Sequence, residues 1–251
     1  MTKVLAGLRR RDGLSQIAVV LAALGAYELA RLVMEPDWAA ATANARRITH
    51  VEELLSLGWE RPLQDAFLAV PDIVRAMNVF YFVGHFVLTG LFFLWLYHRS
   101  RTGFRLFRDG FLFATLIAVV IHWKFPTAPP RIADPAILDT LRLFSGIDIG
   151  SPDSTALSNP VAAVPSLHAG YALGVGIGVF RYARSVFVRS AGLGYPALVV
   201  LTIIVTGNHF VLDAIAGIAV LGLGFVLAPR LVRMRGRGAI LASAPRGGAV
   251  R

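Results

Sequence analysis

The sequence predicts an all-α integral membrane protein, a six-helix transmembrane bundle with interfacial amphipathic helices between spans one and two. Three observations predict it. The 251-residue chain is 56% hydrophobic and only 16% charged, with a mean hydropathy of +0.63, far too apolar for a water-soluble domain of this length. Its apolar runs approach the roughly 20 residues that cross a bilayer as a helix. Clusters of arginine alternate along the chain with segments that hold most of the acids, the pattern of alternating topology.

The first run, 14–34, is long and no clear small-residue cleavage site follows it, so it reads as a retained span and not a signal peptide. Residues 36–75 mix Arg46, Arg47, Glu52 and Glu53 with Leu54, Leu55 and Leu57, which predicts one or two amphipathic helices lying at the interface. Further spans are expected at 76–97, 106–123, 165–183, 191–207 and 210–228, with a polar, Pro-containing loop over 124–164. Gly170, Gly174 and Gly178 recur every fourth residue along span four, which predicts close helix packing through small residues. The expected organisation is one transmembrane domain, 1–230, with a core of about 76–228, followed by a flexible basic cytoplasmic tail, 231–251.

The net charge is +10. Lys3 and Arg9 to Arg11 precede span one, Arg99 to Arg108 link spans two and three, Arg181 to Arg189 link spans four and five, and Arg230 to Arg237 follow span six. These segments should face the cytoplasm, which puts both termini there and the acid-bearing loops outside. Glu35, Asp37, Glu52, Glu53, Glu60, Asp65, Asp72, Asp134, Asp139, Asp148 and Asp153 are the acids of those loops. The expected location is a bacterial plasma membrane. Because the arginines lie between apolar runs and not on one face, no nucleic-acid partner is expected, and nothing implies a protein partner. The chain has no cysteine, which excludes disulfides, thiolate metal sites and cysteine nucleophiles.

Three polar motifs are predicted to meet at the outer end of the bundle. Lys124 and Arg131 bracket a turn stiffened by Pro126, Pro129 and Pro130, and lysine and arginine suit phosphate oxygens as point charge and planar fork. Pro165-Ser166-Leu167-His168 opens span four, where first-turn amides and the helix dipole favour an anion. Asn208-His209 leads into span six, and Asp213 follows His209 by four residues on the same helical face. A carboxylate beside an imidazole fixes its tautomer and raises its basicity, the condition for a histidine nucleophile. Asn78, Tyr81 and His85 in span two share a face at spacings of three and four, as further residues around the site, a head-group contact or a polar seam between helices.

On Lys124…Arg131, Pro165-Ser166-Leu167-His168 and His209…Asp213, over roughly residues 76–228, the sequence resembles the type-2 phosphatidic acid phosphatase superfamily. The resemblance implies a nucleophilic His209 that forms a phosphohistidine, an orienting Asp213, a general acid at His168, and phosphate binding by Lys124, Arg131 and Ser166. It implies no metal ion and no cofactor, with a membrane lipid as substrate. The sequence departs from the family pattern at Ile132, Thr202 and Ile203, where the family carries proline, serine and arginine. The Pro-Pro-Arg form, Asn208-His209-Phe210 and the Asn78–Tyr81–His85 set look closer to the inositol phosphorylceramide synthase-like branch. The expectation is therefore a lipid phosphatase or phosphoesterase. The alternatives are a phospho-head-group transferase and a non-catalytic lipid-binding or transport protein.

Overall fold

The structure, a computed structural model, describes residues 36–148 and 159–242, with side chains to 229, and scattered helical positions at 13, 15, 16, 18, 19, 22 and 25–29. Much of expected span one, Lys3, Arg9 to Arg11, Glu35, Asp153 and the last nine residues lie outside the described residues. What is described is helical. Among the described residues an isolated β-bridge joins Thr127 to Ala162.

Two helices precede the second expected span. Helix α1, Trp38–Leu54, starts at Asp37, whose side chain accepts from the Ala40 amide at 2.9 Å, a standard N-cap. Its inward face is Ala41, Asn44, Ala45, Ile48 and Glu52, spaced three and four apart. This face lies on the Pro-rich turn, where Asn44 Nδ2 donates to the Pro126 carbonyl at 2.8 Å. Helix α2, Glu60–Leu68, buries Glu60 and Gln64. Gln64 donates to the carbonyls of Leu138 and Val205 and accepts from the Leu138 amide. Leu54, Leu55 and Trp59 are exposed between the two helices.

Helix α3, Pro71–Val79, opens on proline at a position that needs no amide. It continues through a wide π-turn, Phe80–Gly84, into α4, His85–Arg99. Helix α5, Arg101–Lys124, is capped by the Ser100 hydroxyl on the Gly103 amide and ends before Pro126, which disfavours helix in the residue ahead of it. Short helices α6, Pro130–Ala133, and α7, Thr140–Ser145, fill the loop that follows. Helices α8, Leu167–Tyr182, α9, Val186–Val205, and α10, Val211–Ala242, complete the bundle. Among the described residues, three segments are long and apolar enough to cross a membrane: Pro71–Arg99, Val186–Val205 and Val211–Pro229. They correspond to expected spans two, five and six.

Packing divides along the bundle. Toward the α4–α5 turn, Phe92, Leu96, Phe104, Phe107 and Phe111 form an aromatic cluster with Val220 and Leu221. Its edge-to-face pairs include Phe93–Phe111 at 4.9 Å and Phe107–Phe225 at 5.0 Å, the favoured arrangement of ring quadrupoles. Toward the other end the core is built of small and branched residues, Ala169, Ala172, Val199, Ile203, Ile204 and Ala214. There α8 and α10 approach so closely that a Cβ on Gly170 would meet the Gly217 carbonyl oxygen, and one on Gly217 would overlap the Ser166 carbonyl. The close packing expected along span four is present, with Gly174 and Gly178 against the rings of Phe111 and Phe92.

Candidate active site

The start of α10 is held by carboxyl groups. Asp213 Oδ2 accepts from the Phe210 amide at 2.9 Å, Glu60 Oε1 from Val211 at 2.8 Å, and Glu52 Oε1 from Leu212 at 2.7 Å. The amides of Asn208 and His209 reach the Ile203 carbonyl. A helix start leaves its first amides without intrahelical partners, and here protein oxygens take them. This helix end is therefore occupied and does not serve as an anion site.

His209 sits just before it, nearly buried. Its Nδ1 lies 3.0 Å from the Ala163 carbonyl and 3.2 Å from Asp213 Oδ2. Two acceptors at one nitrogen put the ring proton on Nδ1 and leave the Nε2 lone pair free for an electrophile. Ala163 is set in place by its own amide, which donates to the Thr127 carbonyl at 3.1 Å, while Thr127 donates to Val161. The Pro-rich turn thus positions the oxygen that selects the tautomer. Asp213 is fully buried, and its Oδ1 has no partner.

His168 lies on the first turn of α8, its ring 5.7 Å from that of His209. Tyr81 stacks on it at 4.6 Å, with His85 at 5.0 Å and Phe86 at 5.3 Å. His168 Nε2 is buried without a hydrogen-bond partner. A buried polar atom left this way is costly unless a ligand meets it. His85 Nδ1 bonds the Tyr195 hydroxyl at 2.9 Å, and its Nε2 is also unpartnered. Ser166 is fully buried as the N-cap of α8, its Oγ accepting from Ala169, and its amide donates to the Asp213 carbonyl.

The predicted phosphate ligands divide. The Arg131 side chain is buried, its Nε on Asp139 Oδ2 at 3.2 Å and an Nη on Asn208 Oδ1 at 2.6 Å, which aims it at the residue beside His209. Asn208 completes the link through Nδ2 to the Thr206 hydroxyl. Lys124 is exposed, with its ammonium 3.9 Å above the Trp123 ring. Ile203, at the position where the resemblance leads one to look for arginine, is fully buried, and its carbonyl receives the amides of Asn208 and His209.

Asn78 parts from its expected companions. It donates to the Thr140 carbonyl and Ser145 Oγ and accepts from the Thr140 hydroxyl, which pins α3 to α7. The π-turn that follows explains the separation, because it breaks the regular spacing that put Asn78, Tyr81 and His85 on one face. Sequence reasoning also missed Glu52, Glu60 and His122, whose Nε2 lies 3.3 Å from the Pro165 carbonyl. A charged residue that continues the inward spacing of Ala41, Ala45 and Ile48, as Glu52 does on α1, was the available signal.

A sequence profile of the PAP2 superfamily matches residues 46–227. The chain belongs to that superfamily. PAP2 membership supports a phosphatase or phosphoesterase type of activity, and the match begins early enough to take in Glu52 and Glu60. No curated protein and no solved structure shows a match.

Proposed function

We propose that this PAP2 protein hydrolyses lipid phosphate esters through a phosphohistidine on His209. The observation that supports it most is the His209 ring, with Nδ1 between two acceptors and Nε2 free, next to a second imidazole with an unpartnered nitrogen. Nε2 attacks phosphorus, the P–N bond forms, and the P–O bond to the lipid breaks. His168 gives its proton to the departing oxygen. Water then attacks the phosphohistidine, His168 takes its proton, and inorganic phosphate leaves. Arg131, the Ser166 hydroxyl and the first amides of α8 stabilise the transferring oxygens, with Lys124 swinging in from the rim. The protein works without a metal, as a six-span bundle with both termini cytoplasmic and the site at the outer boundary of the membrane.

A second reading is a transferase that passes the phospho-head group to a lipid hydroxyl. It is favoured by the wall of Tyr81, His85 and Phe86 around His168, which keeps water from the base. Purified protein in mixed micelles, given lipid phosphates and phospholipids, separates the two. Hydrolysis releases free phosphate, whereas transfer makes a new phospholipid without it. His209→Ala should lower either signal at least 10³-fold, as an order of magnitude for a lost nucleophile. Turnover retained in that variant would overturn the phosphohistidine, and a lipid-binding protein would show no turnover in either form.

A further inference from the structure

Glu52 and Glu60 belong to none of the motifs above. They come from α1 and α2, both are almost completely buried, and their carboxyl groups come side by side at the start of α10. Each also accepts an amide of α10, at Leu212 and Val211. With Asp213 on Phe210, three carboxyls from three helices hold three successive amides directly after the proposed nucleophile. We propose that Glu52 and Glu60 are positioning residues for His209: a carboxyl pair sharing one proton and carrying one negative charge, which fixes where α10 begins. The inference rests on the histidine reading for its effect on turnover, but not for the cap itself.

The chemistry favours one charge. The positive end of a helix dipole stabilises an anion, and hydrogen bonds to an ionised acceptor are the strong ones. Two buried carboxylates in contact repel, so one keeps its proton. Burial chiefly, aided by the charges of Glu60 and Asp213, pushes Glu52 up to about 8. Glu60 is also raised, chiefly by burial. The charges that the pair feels are its own and that of Asp213, with His209 next in line. Other charged groups on the neighbouring elements face away from the pair: Arg46 is exposed. Arg47 bonds Asn44, and His50–Glu53, Arg61–Asp65 and Arg75–Asp72 pair at the surface. On α6, Arg131 is held by Asp139 and Asn208.

Glutamine copies a protonated carboxyl, so Glu52→Gln and Glu52→Ala part company. With phosphatidic acid in detergent micelles, Glu52→Ala should lower kcat about tenfold with KM within about twofold, the split expected when an interaction of the transition state alone is lost. Glu52→Gln should recover most of that loss. It should also remove the fall in kcat expected of the wild type as pH rises through about 8, where a second charge enters the pair. Amide hydrogen exchange on the peptide spanning 206–216 should quicken in Glu52→Ala and stay slow in Glu52→Gln. Equal loss in both variants, an unchanged alkaline limb in Glu52→Gln, or unaltered exchange in Glu52→Ala would overturn the proposal. If the wild type does not turn over phosphatidic acid, exchange and melting across pH decide alone. Retained turnover in His209→Ala defeats the histidine reading and leaves the cap standing.

Discussion

At His209 two oxygens share one ring proton. The Ala163 carbonyl is as near as Asp213 Oδ2, so the tautomer has two supports, one from the helix that His209 precedes and one from the loop before α8. The pairing of His209 with Asp213 was legible from their spacing of four residues at the start of a span, although His209 itself precedes α10. The carbonyl was not, since a backbone oxygen leaves no mark in a residue pattern. His168 differs in having its Nε2 unpartnered. If that nitrogen serves the leaving oxygen, His168→Ala should slow lipid phosphates, which have poor leaving groups, by 10²–10⁴-fold, and activated aryl phosphates far less. Equal slowing of the two in a single-turnover assay would remove it from the acid role.

The elements around the site depend on the approach of α8 to α10. The Ser166 amide bonds the Asp213 carbonyl, which is possible only where Gly217 leaves no side chain in the way. Gly217→Val should destabilise the protein by about 1–3 kcal/mol or more through overpacking. Gly222→Val, where nothing lies within 4 Å of the added Cβ, should leave the detergent melting temperature little changed; a comparable drop in both would refute the packing argument. The glycine spacing of span four announced close packing in the sequence, but not that Gly217 of α10 is the partner. The Glu52 and Glu60 contacts did not show there, because their partners lie 160 and 151 residues distant and the stretch that holds both acids read as amphipathic helices at the interface, with its acids facing outward. Burial makes their proton state a stability matter too. The unfolded Glu52 loses its proton near 4.5, the folded one only near 8. The native state therefore binds more protons between those values, and stability falls as pH rises through that window. Glu52→Gln should flatten this slope in melting curves taken from pH 5 to 8.

For the whole molecule, helical class and bundle form were legible from composition alone, since an apolar chain of this length has few other ways to satisfy its backbone in lipid. The span count was less so. Helix α5 carries Arg101, Arg105, Arg108 and Asp109 in its first half, and α8 has only 16 residues, so neither stands out as Pro71–Arg99 does. An even number of crossings requires both termini on one side. Epitope tags at each end should resist external protease in intact cells and yield after permeabilisation. External cleavage of one tag alone would mean an odd count.

The π-turn at Phe80–Gly84 has a consequence in helical phase. One surplus residue in a turn retards everything after it by about 100°. Ahead of the turn the helix presents Asn78 to α7, and beyond it the same rod presents His85 to His168. Removing a single residue there would restore an unbroken α-helix without altering either partner. It would also set the two halves out of register, so that the rod could serve the loop or the histidine but not both. The angular setting of the aromatic wall is thus written in one residue's worth of length.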